Sequence, residues 1–537
     1  MWPQLKRLCS MGRRLFAGIV IEERWLPMGL WYNLLITLGC VHSMAFGAFH
    51  MEAFLQQGLT AGKVAAVHVV FSVWNPLNDI AAGFLADEWV SRGFGSRLGL
   101  LAWAHAGWAL STLLTFQENT LVPVWLHYAV AICAADGFGS LAGALYQLVL
   151  VERTSEERQR IQIQRLNSVF GCGEWLVMAV AYGLWDPRPG RGVSFRFYLS
   201  AVCLGSLACT LLAVRGLRRA DGCAVAAAAG EAASSAVCGK EQPGQRGGLR
   251  DFLVAAAGHA NFRRYVVVCA LLEAETVFFR QFDVVLARVL LFSWPAAARA
   301  LLVVGDPLCG ALAFLLTWVA ERPDIGTYGV TWATLRVRLA LCLAAAGLLA
   351  GHASVAAAAK AAAPPGEDFS PEVWLAVGLG GLMVLWRAAT RPTVAFGGVI
   401  FASVIQEHAL LELERHGPVA ATEEDAALAS ARSSAEAVAG KYWMLRAAIT
   451  KPLNSAGPVV GSWALSSAGY RGGGQEGAAP AAQALSARLW WTSASLPVAL
   501  SLVVSLLVCP VWGRFALHGP RLEKVSALAD PDKRRSA

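Results

Sequence analysis

The chain has 537 residues, a formal charge of +8, 56% hydrophobic residues and only 15% charged residues. Soluble domains carry about 25% charged residues, so this composition excludes a set of compact soluble domains, whose surfaces it cannot cover with polar side chains. Most of the surface is therefore expected to face lipid, and the basic residues, which fall in short clusters between long apolar runs, indicate membrane topology rather than nucleic-acid binding.

Twelve apolar runs are long enough to cross a bilayer as helices, because a helical crossing needs about 20 residues and backbone in lipid must satisfy its own hydrogen bonds. In chain order, the predicted spans 1 to 12 cover residues 25–49, 61–86, 97–117, 121–150, 160–185, 196–216, 262–285, 294–320, 334–352, 373–402, 440–468 and 486–513. With both termini in the cytoplasm, and with basic residues near the ends of spans counted in the adjoining segments, the inner segments hold 32 of the 45 Lys and Arg residues and the outer segments hold 9. The other four, Arg280, Arg387, Arg391 and Lys451, lie within spans. This bias favours an even number of crossings with both ends inside.

The spans fall into two groups of six, separated by a long polar stretch rich in Ala, Gly, Ser and Gln. The predicted divisions, in chain order, are a cytoplasmic amphipathic N-terminus (1–24), an N-terminal half (25–216), a flexible cytoplasmic linker (217–261), a C-terminal half (262–513) that contains a polar cytoplasmic insertion (415–440), and a cytoplasmic tail (514–537). The insertion is predicted to be a solvated loop or a short surface helix.

An internal repeat supports two related halves. The sequence DIAAG at Asp79–Gly83, in span 2, is matched by DPLCG at Asp306–Gly310 in span 8, the equivalent helix of the second half. Two six-helix halves joined by a long loop are the layout of the major facilitator superfamily, whose halves rock around a site near the middle of the bilayer. The expected fold class is therefore an all-α polytopic membrane protein with twelve transmembrane helices and the major facilitator fold.

Ionisable side chains inside spans are the candidate functional residues, because a charge in the bilayer needs a partner or a wet cavity. Asn75, Asn78 and Asp79 share one face of span 2, which suits a small cation or a proton, or else interhelical hydrogen bonds to span 11. Asp136 in span 4 either binds a substrate or cation or forms a structural pair. Lys451 lies deep in span 11, so Asp79 and Asp136 are its expected partners. Asn454 shares its face and is predicted to bind the substrate.

Span 5 contributes three further candidates for substrate binding. Arg165 near its start is either a substrate residue or a topology charge at the membrane surface, and Glu174 lies amid apolar residues further along the span. Trp175 flanks the predicted cavity, where an indole ring suits stacking on a sugar.

Charges near the ends of spans and in span 10 admit two interpretations. Asp87 is predicted to act in gating or topology, and Arg92 and Asp306 are predicted to act in gating. Arg387 and Arg391 share a face of span 10, and they either pair structurally or bind an anionic group.

Four landmarks carry a resemblance to a known family. The stretch SVWNPLNDIAAGFLAD at 72–87 resembles the Trp-x-x-x-Asn-Asp-Pro-x-x-Gly-x-x-x-Asp stretch of the glycoside-pentoside-hexuronide:cation symporters, the melibiose-carrier branch of the superfamily. Together with Asp136-Gly137-Phe138, His259-Ala260-Asn261-Phe262 and Thr450-Lys451-Pro452, in the same order, it is similar to the vertebrate family called transmembrane protein 180, a melibiose-carrier-like group. The likeness covers nearly the whole chain outside the linker and the polar insertion.

The resemblance implies roles for individual residues. Asp79 and Asn78 would belong to a cation site, Asp136 would be shared between cation and sugar, Arg165 would join Asp136 at the sugar, and Lys451 would lie near the carboxylates. Asn75 stands where the symporters have an aspartate, so two acids and two bases would leave the cavity neutral and weaken the incentive to bind Na⁺. Glu174 as the missing acid, a proton as the coupling ion, or uncoupled transport are the alternatives.

The expected function is secondary active or facilitative transport of a small polar solute, such as a sugar or glycoside, by a monomer that works by alternating access. The expected partners are the lipid bilayer and the solute, with no nucleic acid, no metal site and no cofactor beyond Na⁺ or H⁺ as a coupling ion. The alternatives are a lysolipid carrier, whose phosphate Arg387 and Arg391 would hold, and a carrier-shaped scaffold that does not transport. No nucleophile elbow, P-loop or His-Glu-x-x-His motif occurs in the sequence, so an enzyme is not expected.

Overall fold

A computed structural model describes residues 20–117, 121–154, 157–185, 193–232, 249–290, 295–322, 324–362, 373–416, 424–468 and 487–529, which are almost entirely helical. The α-helices are Leu26–Ile36, Val41–Gln56, Ala61–Ser91, Arg97–Thr115, Val124–Arg153, Glu157–Leu184, Val193–Ala232, Leu249–Gly258, Ala260–Leu290, Pro295–Ala320, Gly326–Ala362, Val373–Ala395, Gly397–His416, Glu424–Ser467, Ala487–Trp512 and Pro520–Ala529. Each predicted span coincides with one of these helices or, for spans 1 and 10, with two. The predicted all-α bundle is confirmed.

Spans 1 and 10 were predicted as continuous helices, and both are broken. In span 1 a single 3₁₀ turn, Leu38–Cys40, separates two helices, and the freed carbonyl oxygen of Gly39 lies 3.0 Å from Nδ1 of His105 in span 3 and accepts a hydrogen bond from Ser206 in span 6. In span 10 the interruption is confined to Phe396, between the helices that end at Ala395 and begin at Gly397, and the Phe396 N–H still donates to the Pro392 carbonyl oxygen at 2.8 Å. Side chains from neighbouring spans therefore contact the backbone carbonyl oxygen that the break in span 1 exposes.

The spans differ in how apolar they are. Seven stretches of the described residues are long and apolar enough to cross a membrane by composition, and they correspond to spans 1, 3, 4, 6, 9, 10 and 12. Span 8 is likewise apolar over Leu308–Ala320. Spans 2, 5, 7 and 11 carry more polar side chains, and a charge among these needs a partner or water rather than lipid. Span 2 packs on span 11, and span 5 packs on span 8, so each pair joins one helix from each half. These two contacts are named seam A (spans 2 and 11) and seam B (spans 5 and 8).

Each seam is built on a glycine from the internal repeat. On seam A, Gly83 lies directly against the side chain of Met444, and on seam B, Gly310 lies directly against the indole ring of Trp175. In both places an added β-carbon would overlap the facing side chain, so a larger residue would require that side chain to move or the helices to separate. The two glycines end the repeated pentapeptides, which means that the sequence repeat marks equivalent positions on the two seams.

The predicted flexible linker is partly helical. The helix of span 6 continues past residue 216 to Ala232, and Leu249–Gly258 forms another helix, while residues 233–248 lie outside the described part of the chain. Alanine has the highest helix propensity, so the Ala-rich composition that suggested a flexible chain also favours helix. In the polar insertion the helix of span 11 begins at Glu424, well before the predicted residue 440. The predicted amphipathic N-terminus lies outside the described residues up to position 19.

The C-terminal helix, Pro520–Ala529, is tied to the bundle by a buried carboxylate. Glu407 accepts hydrogen bonds from Asn261 Nδ2 at 3.0 and 2.9 Å and forms an ion pair with Arg521 of that helix. Asn261 Oδ1 in turn accepts from the backbone N–H of Ala516 at 2.9 Å. The His-Ala-Asn motif of the sequence therefore connects the start of span 7 to span 10 and to the chain segment after span 12.

Candidate functional site

Lys451 joins the two halves at the middle of seam A. Its ammonium group lies 2.9 Å from Oδ1 of Asp136, 3.0 Å from Oδ1 of Asn75 and 3.0 Å from Oγ of Ser140. The ammonium comes from span 11 of the C-terminal half, and its three partners come from spans 2 and 4 of the N-terminal half. Lysine is long enough to reach across the seam, and each of its N–H donors finds an oxygen.

Asp79 and Asn78 complete this group of residues. Oδ1 of Asp79 lies 3.5 Å from the Lys451 ammonium, and Asn78 Nδ2 donates to Oδ2 of Asp136 at 3.1 Å. Asp79 is only 3% exposed, and its Oδ2 is buried without a hydrogen-bond partner. The six residues Asn75, Asn78, Asp79, Asp136, Ser140 and Lys451 are called the Lys451 cluster.

The local sequence explains why the cluster forms. Helical spacing places Asn75, Asn78 and Asp79 on one face of span 2, and that face meets spans 4 and 11. The amide of Asn78 also contacts the span 4 backbone, with Nδ2 3.4 Å from the carbonyl oxygen of Asp136. The Trp74 indole N–H donates to the carbonyl oxygen of Cys133 at 3.2 Å and also ties span 2 to span 4. The structure thus brings five of the predicted site residues together.

Arg165 does not join this cluster, contrary to the expectation from the resemblance. Its guanidinium forms an ion pair with Glu321, donates to Oγ1 of Thr317 at 3.0 Å and to the Val20 carbonyl oxygen at 3.2 Å, and stacks on Trp318 with 3.7 Å to the ring centre. Arg165 is 2% exposed. The pair lies at the predicted cytoplasmic end of seam B, because Glu321 immediately follows Ala320, the last helical residue of span 8.

Removing Arg165 from the cluster changes the charge balance. The described members of the cluster are two carboxylates and one ammonium, so the formal charge is −1 rather than the neutral value expected from the sequence. The neighbouring Arg446 of span 11 is bound to Glu273, which neutralises that pair. In a region of low dielectric, an uncompensated negative charge favours a bound cation or proton.

Glu321 is the functional candidate that sequence reasoning missed. Besides Arg165, it accepts a hydrogen bond from Gln162 Nε2 at 2.8 Å, and Gln162 Oε1 accepts from the backbone N–H of Glu22 at 2.8 Å. Arg158 of the same helix lies within ion-pair distance of both glutamates, at 3.3 and 3.9 Å. In the sequence, Glu321 is one acid in a short polar loop, and nothing there distinguishes it from its neighbours.

Glu174 and Trp175 line a separate cavity between the two halves. The cavity consists of two neighbouring volumes of about 160 and 210 Å³, which share Trp175, Arg391 and Val394 in their walls. None of the described residues that line it belongs to the Lys451 cluster. This space is called the central cavity, and spans 1, 4, 5, 7, 8 and 10 contribute to it.

The remaining predicted site residues fall outside both places. Arg92 is exposed and forms an ion pair with Glu88 one turn before it. The side chains of Asp87, Asp306 and Asn454 lie outside the described part of the chain.

Comparisons with known proteins give the fold. No family model matches the chain, and no curated protein matches it by sequence. Among solved structures, the nucleoside transporter NupG is similar at 12% identity over 90% of this chain and 99% of that chain, with a TM-score of 0.52. A bacterial homologue of the human lysosomal transporter Spinster is similar at 13% identity, with 92% and 97% covered and a TM-score of 0.51. The xylose transporter XylE from E. coli is similar at 14% identity, with 94% and 99% covered and a TM-score of 0.51.

These likenesses extend over nine tenths of the chain and almost all of each solved structure. At such low identity a likeness shows the fold alone. The order of the helices, their division into two six-helix halves and the contacts between spans 2 and 11 and between spans 5 and 8 agree with it. The chain therefore has the twelve-helix fold of the major facilitator superfamily.

Proposed function

We propose that this chain is a secondary transporter that moves a small polar solute across the membrane by alternating access. The observation that carries this proposal is the Lys451 cluster, which holds charged groups of both halves together in the middle of seam A. A buried ion pair contributes little net stability compared with apolar packing of the same volume. A protein that only needed to hold its halves together would gain more from apolar residues at this place.

The Lys451 cluster also supports cation coupling. Asp79 and Asp136 are the proposed ligands of Na⁺, or the proposed carriers of a proton, because Oδ2 of Asp79 has no donor and the described cluster has a formal charge of −1. This assignment follows the melibiose-carrier-like branch that contains the transmembrane protein 180 family, which we propose as the closest group in mechanism. We further propose that the chain works as a monomer and that both termini lie in the cytoplasm.

A different role is proposed for Arg165. Its ion pair with Glu321, together with Gln162, closes seam B at the predicted cytoplasmic end. Opening the cavity to that side requires the two helices to separate and this pair to break. Arg165 is therefore proposed as a gate residue rather than a substrate residue.

Purified protein in detergent tests cation binding without knowledge of the solute. Thermal unfolding is measured in NaCl and in choline chloride at equal ionic strength, and a ligand present at 100 times its Kd raises the free energy of unfolding by about 2.7 kcal/mol. Wild type is expected to respond to Na⁺ or, for a proton-coupled carrier, to pH, and Asp136→Asn is expected to lose that response. Arg92→Gln, which removes an exposed charge, is the matched control.

Proteoliposomes test transport directly. Uptake of radiolabelled sugars and nucleosides is measured for wild type, Asp136→Asn and Lys451→Ala, and both variants are expected to abolish uptake of the transported solute while folded protein remains in the membrane. Normal uptake by both variants contradicts the assignment of the cluster. A wild-type protein that responds to no cation and takes up no solute supports the non-transporting scaffold instead.

A further inference from the structure

The central cavity carries an excess of positive charge that the Lys451 cluster does not use. Its described lining includes four arginines, Arg160, Arg280, Arg387 and Arg391, and two glutamates, Glu174 and Glu275. Glu275 is already engaged, because it forms an ion pair with Arg338 of span 9 and accepts a hydrogen bond from Ser501 of span 12. The described lining residues therefore carry a net positive formal charge.

Arg391 differs from the other cationic residues of this lining. Arg280 donates to the carbonyl oxygen of Ser43 at 2.9 Å, and Arg160 donates to the side chain and carbonyl oxygens of Thr154 at 2.9 and 2.7 Å. Arg387 lies over the ring of Phe279 with 5.7 Å to its centre. Arg391 is exposed into the cavity, and within the described part of the chain its guanidinium has no hydrogen-bond or ion-pair partner.

The position of Arg391 indicates why its lack of a partner among the described residues points to a ligand. It lies well inside span 10, one helical turn after Arg387 and on the same face. It is also in the wall of both volumes of the central cavity, opposite Trp175 of the other half. A guanidinium inside a membrane protein is costly unless an acid, a carbonyl group or water satisfies its five donors. Its fork of donors matches a carboxylate or a phosphate group.

We infer that the central cavity binds the carboxylate or phosphate group of a small organic anion on Arg391. Arg387 adds a second positive charge one turn away. The volume on the predicted cytoplasmic side is lined by amide and hydroxyl groups, from Gln147, Gln164, Asn167 and Ser168, which suit a hydroxylated body. This inference rests on the proposed transport function and specifies the charge of the solute.

Four compounds test the charge requirement. D-glucose, D-glucuronate and D-glucose 6-phosphate share a pyranose ring and differ in having no anionic group, a carboxylate or a phosphate, and lysophosphatidate supplies a phosphate on a lipid. Thermal unfolding of the purified full chain is measured with each compound, as sodium salts at constant Na⁺. Stabilisation by at least one of the three anions and not by D-glucose is expected, and the anion that acts shows whether the source is a free solute or a lipid headgroup.

Two variants assign the effect to Arg391. Arg391→Gln is expected to weaken binding of the stabilising anion about tenfold or more, because a hydrogen bond to a charged group is among the strong ones. Arg336→Gln, which removes an exposed arginine that stacks on Trp332 outside the cavity, is expected to bind as wild type does. Arg391→Lys retains the charge without the fork of donors and is expected to bind with intermediate affinity.

The outcomes separate this inference from the proposed function. Protein that responds to Na⁺ but is stabilised by none of the three anions overturns the inference and leaves the proposed function in place. Equal stabilisation by D-glucose and the anions overturns it as well, and so does an anion response that Arg391→Gln leaves unchanged. A protein that responds to an anion through Arg391 but to no cation supports the inference and removes cation coupling from the proposed function.

Discussion

Replacing Lys451 with methionine separates the two roles that its charge plays in the cluster. The ammonium compensates Asp136 at 2.9 Å and Asp79 at 3.5 Å, and it repels any cation that binds between them. Methionine keeps a similar length and volume without the charge. The formal charge of the cluster changes from −1 to −2, so two opposite effects are expected.

The first effect is lower stability without a bound cation. Removing one partner from a buried ion pair costs about 3–5 kcal/mol, because the other charge is left uncompensated. The second effect is tighter cation binding. A cation on Oδ2 of Asp79 would lie about 5 Å from the lost ammonium, and at an effective dielectric constant of about 20 the removed repulsion is about 3 kcal/mol, or roughly 100-fold in Kd.

The assay is thermal unfolding of the purified protein as NaCl or pH is varied, with choline chloride keeping the ionic strength constant. Lys451→Met is expected to unfold at a lower temperature than wild type in choline and to gain more stability from the cation. Asp136→Asn, with a neutral cluster, is expected to gain none. A Lys451→Met protein that responds to both Na⁺ and pH no more than wild type refutes the charge argument, and so does an Asp136→Asn protein that responds as wild type does.

Three further substitutions test the seams and the C-terminal tie. Glu321→Gln is expected to increase hydrogen exchange severalfold at the predicted cytoplasmic ends of spans 5 and 8, because Arg165 loses its ionic partner, and unchanged exchange contradicts the gate. Gly310→Ala is expected to lower the free energy of unfolding by about 1–3 kcal/mol. The loss is expected to exceed that of Gly83→Ala, because the rigid Trp175 ring cannot move aside as the flexible Met444 side chain can. Equal losses of the two variants in thermal unfolding would contradict this. Asn261→Ala is expected to make the segment after span 12 more susceptible to limited proteolysis, because it removes two hydrogen bonds to Glu407 and the acceptor for Ala516, and wild-type susceptibility contradicts the tie.

The sequence was sufficient to predict a contact when a buried charge has few possible partners of opposite charge. Lys451 lies too deep in span 11 to reach water, so it requires acids, and few of the spans carry an acid near the same depth. That limited choice is why the contact of Lys451 with Asp79 and Asp136 was predictable. Helical periodicity then added Asn75 and Asn78, because they share the face of Asp79.

The partner of Arg165 was not predictable in the same way. Arg165 lies near the end of its span, where several acids in loops are within reach, and its choice of Glu321 depends on how span 8 packs against span 5. The break in span 1 has a similar origin. The Gly39 carbonyl oxygen is satisfied by His105 and Ser206, which come from other helices, and such long-range compensation leaves no periodic signal in the broken segment.

The two seams combine equivalent geometry with different chemistry. Gly83 and Gly310 occupy matching places in the repeat and each lies against a side chain of the other half. Seam A carries the Lys451 cluster in its middle, whereas seam B carries the Arg165–Glu321 pair at its end. A contact in the middle of a seam lies near the axis about which two halves rock, so it persists while the ends separate. A contact at the end of a seam breaks when the two halves separate at that end. A cation in the cluster is thus expected to act through the charge balance at the pivot, while the Arg165–Glu321 pair sets the free energy of opening toward the cytoplasm.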